Sequence, residues 1–379
     1  MIRNLSLPLA FAMLAAQPVC AQESVTLTWG DYSISSTAPA GRVSVEKQDG
    51  VETLVVDRAR VALEGVEFSE GVIEFDLAFE DRMGFGGILW HTNGDDAEYF
   101  YIRQHKSGQP DAGQYTPIRG GLTSWQIYTD RNAIVPLGFT HEGPNHFRMI
   151  VQGDRAEIYV NGAATPQLHI PDLATDRGVG GIAFQASGPA GKIGISNLVI
   201  RPLAAGEGIV LGPATVPQPP SGVIEEWALS KPFPESQVEG LNLLPENLAT
   251  MGGGNLLKVE HNGIADLSRK VLLGDEDDTV IVSTFIEAQG ARRALLKFGY
   301  SDRLRLYLNG ELIFAGTAGW RSRDHFFLGT VGFLDAVTLP LQSGPNRLEA
   351  VVSETFGGWA FAAAIEDREG LTISARASD

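Results

Sequence analysis

The feature that most restricts this chain is alternation. In GVIEFDLAFE (71–80), Ile73, Phe75, Leu77 and Phe79 alternate with Val72, Glu74, Asp76 and Ala78. A period of two is what a strand with one buried face requires. The same period returns at 98–105, and in RLRLYLNGELIF Leu304, Leu306 and Leu308 alternate with Arg303, Arg305 and Tyr307; 85–92, 179–186 and 192–201 read as further strands and 146–161 as a hairpin. Turn residues separate the runs: Asn93-Gly94-Asp95-Asp96, Gln152-Gly153-Asp154, Asn161-Gly162 and Asn309-Gly310. No stretch has a helical period. With 44 Gly and 20 Pro, the expectation is an all-β chain built from antiparallel sandwiches.

Residues 1–21 (MIRNLSLPLAFAMLAAQPVCA) combine Arg3, a short apolar run from Leu5 to Ala16, and a small-residue cleavage site before Gln22. That reads as a secretory signal peptide, too short to span a bilayer. Cys20 raises lipidation as an alternative, but Val19 stands where a small residue is usual. Cys20 is the only cysteine, so the mature chain has no disulfide, thiolate nucleophile or Cys metal site. Removing Arg3 leaves 28 basic and 46 acidic residues, a net −18. Such a surface excludes nucleic acid and anionic membranes as natural partners. The expectation is a soluble exported protein, periplasmic or extracellular, with no membrane span and a neutral ligand.

Aromatic, basic and amide side chains concentrate at 85–128. Alternation over 98–105 puts Phe100 and Ile102 on a core face and Tyr99, Tyr101, Arg103 and His105 on the other. A row of polar rings and a guanidinium suits a sugar, whose C–H faces stack on aromatics while its hydroxyls need planar partners. The same residues also suit a half-exposed sheet face. Beyond 105 the sequence turns irregular to about 121, with Gln114, Tyr115 and Arg119 in the expected loop. A strand at 124–129 would then carry Trp125 and Tyr128.

Weak catalytic candidates are the carboxylates Glu74 and Asp76, and the histidines His91 and His105, which lie on neighbouring expected strands. Glu74 and Asp76 could act as an acid/base pair or hold a cation, but such a pair is more often a solvated sheet face. Asn93–Asp96 could be a calcium loop, although it lacks EF-hand spacing. No cofactor is called for; besides a structural Ca²⁺, a metal held by His91, His105 and an acid is the other cation site considered, with an ordinary surface role for the histidines the plainer reading. No G-x-S-x-G, H-E-x-x-H, phosphate loop or dinucleotide fingerprint occurs.

Residues 203–222 (LAAGEGIVLGPATVPQPPSG) read as an extended linker, with Pro217, Pro219 and Pro220. They divide the mature chain into units at 22–202 and 223–379. The second shows strand-like runs at 255–260, 279–287, 293–299, 303–308, 311–315, 337–341, 347–353 and 360–365. Between them lies Trp320-Arg321-Ser322-Arg323-Asp324-His325. Trp320, Arg321, Arg323 and Asp324, joined by Asp302 and Trp359, would suit sugar stacking and hydrogen bonding. The plainer reading is a loop pinned by Arg–Asp pairs, with the two tryptophans as core plugs.

The succession GVIEFDLAF, GGILWHT, YFYIRQH, WQIY, FRMIVQGDRAEIYVNG, GVGGIAF and ISNLVI (about 43–202) resembles the concanavalin A-like lectin/glucanase sandwich. It also resembles the laminin-G-like domains and the secreted 3-keto-disaccharide hydrolase family that share this layout. The glucanases' E-x-D-x-x-E strand is absent, since position 79 is Phe and Glu80 is out of phase. FGYSDRLRLYLNGELIF, LPLQSGPNRLEAVVSE and FGGWAFAAAIED are similar to galactose-binding-like jelly rolls, including the sugar-binding domains of family 2 glycosidases. These resemblances imply a sandwich followed by a jelly roll, and a carbohydrate or glycoconjugate as partner. The expectation is a non-catalytic carbohydrate-binding or cell-envelope protein. The alternatives are a glycoside hydrolase or lyase acting on (3-keto-)glycosides, and a structural or adhesion module for a protein partner.

Overall fold

Ile73, Phe75 and Leu77 point into a buried core while Glu74 and Asp76 point away from it. The computed structural model describes residues 25–376, apart from 49, 131, 176–177, 213–218, 250–254, 321 and 324–328. The expected signal peptide, Pro217, Arg321, Asp324 and His325 lie outside the described residues.

The described chain is nearly all β. Residues 25–201 build two facing sheets. Across the first run Val25–Trp29, Tyr32–Ser36, Arg60–Leu63, Gly181–Ser187, Phe85–Asn93, Asp96–Arg103, Gly113–Arg119 and Leu122–Thr123, with Ile134–Val135 also on Gly113–Arg119. Across the second run Leu168–Ile170, Arg155–Val160, Asn145–Gln152, Gly71–Ala78, Lys192–Arg201, Val51–Asp57 and Val43–Gln48. Neighbours pair antiparallel. Val61, Ile88, Phe100, Ile102 and Phe184 of the first sheet meet Leu54, Phe75, Phe147 and Ile195 of the second in one core.

Residues 226–374 form two more facing sheets. The larger orders Asn255–Lys258, Glu226–Leu229, Thr279–Ala288, Gly344–Ser353, Arg303–Leu308 and Glu311–Thr317, with Leu371–Ser374 beside Thr279–Ala288. The smaller orders Ala265–Asp266, Ala360–Ala364, Arg292–Ser301 and Asp335–Leu341. The Asn309-Gly310 turn has φ of 53° and 81°, the left-handed pair that a two-residue type I′ hairpin needs.

Three expectations need correction. Residues 113–119 form a strand rather than a loop. Both of its faces are covered, so hydrophobic alternation is lost. Residues 124–129 form no strand but a run of turns, because Ile127 N and Tyr128 N donate back to Ser124 O. Where no helix was expected, the described residues hold one turn of helix, Glu246–Ala249, and two short 3₁₀ turns.

The outer faces of the two large sheets differ. On the C-terminal one, Ile281, Tyr307 and Val351 are covered by Phe233, Val238, Leu244 and Leu248 from the segment before it. On the N-terminal one, Leu89, Ala97, Tyr99, Tyr101, Ile118 and Ala183 form a cluster whose members, with Ala62 and Phe85 at its margin, all come from that sheet.

Candidate functional site

Strand pairing places side chains in rows across the N-terminal outer face. One row runs Arg60, Gln185, Gly87, Tyr101 and Gln114 over five strands. Four interstrand spacings make it about 19 Å long. The row beside it is Ala62, Ala183, Leu89, Tyr99 and Thr116. Gly87 leaves the middle of the polar row without a side chain, and a Cβ there would stand 2.0 Å from Phe100 O.

The Tyr99 and Tyr101 rings stack with centroids 5.0 Å apart and planes 21° from parallel. The Arg103 guanidinium lies 5.1 Å from the Tyr101 centroid, and Phe85 meets Tyr101 edge-on at 6.0 Å. Tyr101 OH donates to Gln114 Oε1 at 2.7 Å, and Arg103 Nη2 donates to the same oxygen at 2.6 Å. Arg103 Nη1 donates to Asp111 O at 2.7 Å. Gln114 Nε2 donates to Trp125 O at 2.8 Å and Tyr128 O at 2.6 Å. The amide thus joins the aromatic row to the 124–128 turns. The Tyr99 hydroxyl has no hydrogen-bond partner among the described residues.

The expected half-exposed sheet face is corrected: Tyr99 is 3% exposed and Tyr101 5% in the full-length chain. Burial pushes the Tyr101 phenol up to about 12, with Arg103 pulling it back. Burial drives Tyr99 higher still, and Tyr101 adds to that. Both hydroxyls are therefore neutral donors at physiological pH. His105 is half-buried beyond the row's end, edge-on to Phe85. Its pKa falls through desolvation and then the Lys106 and Arg103 charges.

Other expected site residues go elsewhere. Tyr115 points inward by strand parity. It donates to Glu98 Oε2 at 2.5 Å and accepts from Ala174 N at 2.8 Å. Tyr128 is also a core residue, its hydroxyl taken by Arg119. Trp125 is half-buried. His91 is buried at the far end of the hairpin from His105, bound through Nε2 to Ser69 O at 2.8 Å and stacked on Phe68. About 20 Å of strand separates the two histidines, so they do not approach.

Glu74 and Asp76 face outward from the opposite sheet. Asp76 accepts from Asn197 at 2.7 Å and contacts His146 at 2.8 Å. Glu74 lies 3.3 Å from Arg201 and 3.5 Å from Arg148. The pair belongs to a surface charge network and shares no cleft with the tyrosines. In the Asn93–Asp96 turn, Asp96 Oδ1 accepts from Gly120 N at 2.7 Å, and the Asp95 backbone carbonyl accepts from Gly121 N at 2.9 Å. Among the described residues no three His, Cys, Asp or Glu come together as a metal site, and no helix is long and apolar enough to cross a membrane.

In the C-terminal half Trp320 is 46% exposed. Arg323 is held by Asp335 and donates to Tyr300 OH at 3.2 Å. Trp359 is fully buried, donating to Val352 O at 3.1 Å, and does not join Trp320. Asp302 accepts from Thr355 N and Phe356 N. An open cleft of about 880 Å³ between the halves is lined by Arg119, Thr175, Glu226, Lys258, Arg269 and Leu272. Its charges are paired, the buried Arg119 with Asp266 and the half-buried Arg269 with Glu260.

Sequence reading missed Arg60, Gln185, Gly87 and Phe85 as members of the aromatic face. Their spacing along the chain carries no signal, since only strand order makes Arg60 and Gln185 neighbours.

No protein-family model matches the sequence, and no curated protein matches it. Among solved structures, the chain is similar to a carbohydrate-binding module, CBM66, from Bacillus subtilis. Identity is 12%, over 44% of this chain and 92% of that one, with a TM-score of 0.34. A Bacillus licheniformis β-glucanase matches at 14% identity over 48% and 98%, TM-score 0.33. A Bacillus subtilis protein of unknown function with a galectin-like fold matches at 14% over 45% and 91%, TM-score 0.31.

Proposed function

We propose that this is an exported, periplasmic or extracellular protein that binds carbohydrate without cleaving it, through the face carrying Tyr99, Tyr101, Arg103 and Gln114. The observation that carries this reading is the stacked Tyr99–Tyr101 pair, set in a row of planar polar side chains on the sheet face turned away from the core. Stacked rings offer sugar C–H faces an apolar surface, and the amide and guanidinium edges offer hydrogen bonds in fixed planes. A glycosidase needs two convergent carboxyl groups. Glu74 and Asp76 are on the other sheet, and Asp111 is taken by Lys106 at 2.6 Å, which favours binding over cleavage.

Because the rings are nearly inaccessible, the reading requires this face to open to its ligand, and the form to test is the chain expected after signal cleavage, from Gln22. A glycan array with that chain should give a saccharide ligand, with or without calcium. Tyr101→Ala should weaken binding at least tenfold, about what one aromatic contact contributes. Tyr101→Phe keeps the ring and should lose less. Binding to no glycan, or binding indifferent to both substitutions in folded protein, refutes the reading. Turnover of the bound glycan would establish the hydrolase alternative.

A further inference from the structure

Arg60 stands apart from the other arginines near this face. Arg103 is satisfied by Asp111, Tyr101 and Gln114, and Arg119 by Asp266, Tyr128 and Ala174 O. Arg60 makes one side-chain bond among the described residues, donating from Nε to Gln185 Oε1 at 2.8 Å. It forms no ion pair among them. It sits at one end of the polar row, on the same outer face as Ala62 of its own strand.

Its surroundings narrow the ligand. Arg60 is exposed at the edge of the face, and its row lies beside the one that carries Tyr99. The Tyr99 hydroxyl is buried and unpartnered among the described residues. Arg60 offers a guanidinium fork at one end of its row and Tyr99 an unpartnered phenol in the adjacent row, and both are donors. A neutral sugar hydroxyl uses one such donor at a time, whereas a carboxylate accepts two from the fork in parallel. The chain's overall negative charge opposes this only weakly. Beyond about 8 Å, exposed charges are largely screened at physiological salt, while a contact pair is not.

Resting on the carbohydrate-binding reading, we propose that the ligand is an acidic saccharide whose uronate carboxylate is held by Arg60, with its sugar ring directed onto Tyr99 and Tyr101. Arg60 is then the residue that decides specificity for charge, and the tyrosines supply binding common to both charged and neutral sugars.

The test uses the mature protein with tri- and tetragalacturonate and the same oligosaccharides methyl-esterified, which removes the charge and little else. Calorimetric titration should show the acid form binding at least tenfold tighter. Arg60→Gln should erase that preference, so that acid and ester bind alike. Arg60→Lys, which keeps charge but loses the fork, should restore only part of it. Tyr101→Ala should weaken both forms together. Equal wild-type affinity for acid and ester, or a preference that survives Arg60→Gln, overturns the role of Arg60 and leaves the platform reading standing. Absence of binding to acid, ester and every arrayed glycan overturns both.

Discussion

Glu354 is 1% exposed, and its Oε2 meets no donor among the described residues. Its neighbour is the Asp302 carboxylate, an acceptor facing an acceptor. Burial first, and Asp302 second, raise the Glu354 pKa well above its ordinary 4.5. A proton retained on Glu354 resolves the conflict, because the carboxyl can then donate to Asp302. A carboxyl with a raised folded pKa stabilises the fold fully below its ordinary value. That contribution declines as pH rises toward the folded value, at up to about 1.4 kcal/mol per pH unit. Urea midpoints of the wild type should therefore fall from pH 5 to pH 8. Glu354→Gln, whose amide donates to Asp302 at every pH, should flatten the decline and be more stable at pH 8 by roughly 1–3 kcal/mol. Parallel pH profiles for the two proteins would show that the pair holds no proton. The difference between the two profiles is the readout because other buried acids, Glu349 among them, titrate in both.

At the scale of elements, Gln114 has the widest reach. One amide accepts from Tyr101 and Arg103 and donates to Trp125 O and Tyr128 O. It therefore joins Asp96–Arg103 and Gly113–Arg119 to the 124–128 turns. Gln114→Ala should destabilise the protein by ~2–4 kcal/mol in urea, since it leaves buried donors and acceptors unmatched at once. Gln114→Glu should cost comparably, because its second oxygen would face two carbonyls. A loss under ~0.5 kcal/mol for both would mean the turns are held elsewhere. The alternating strands were legible from sequence: Arg303–Leu308 runs where its period predicts, and Lys192–Arg201 is the expected strand although a bulge between Ser196 and Val199 breaks its alternation. Gly113–Arg119 was not, because every residue of GQYTPIR is buried and Pro117 interrupts the run. Ser124 to Tyr128 misled in the opposite way. Its Trp and Tyr mimic a strand period, while its backbone bonds close on Ser124 and its Gln side chain points to another part of the chain. The Tyr99–Arg103 row could be read from parity alone. Its neighbours Arg60 and Gln185 could not, since their adjacency depends on a strand order that alternation leaves undetermined.

Across the whole molecule, the 119–130 segment holds the two halves of the chain against each other. Arg119 pairs with Asp266, which also accepts from Ser124 at 3.1 Å. Gln126 Nε2 donates to Ser301 Oγ at 3.0 Å and Gly329 O at 2.8 Å, while its Oε1 accepts from Gly358 N at 2.6 Å. Asn262 donates to Ile127 O, and His261 contacts Asp130 at 2.6 Å. Ile264, Val331, Ala360 and Ala362 extend the N-terminal core across the junction. Paired domains joined by a small polar contact usually move and melt independently. Here the junction is buried, apolar at its centre and polar around it, so heating the mature protein should give one cooperative transition. Arg119→Met is the sharpest perturbation. It preserves bulk, since Arg119 is 6% exposed, but leaves the fully buried Asp266 carboxylate with serine donors alone. Breaking a buried pair on one side costs ~3–5 kcal/mol. Scanning calorimetry of Arg119→Met should show either a single transition at lower temperature or a first transition split from the second. Arg119→Met combined with Asp266→Leu should recover part of the loss, because no lone charge then remains. Two separate transitions in the wild type would show that each half folds on its own and that the junction contributes little. In that case the aromatic face and the C-terminal sheets would have to be understood as independent modules.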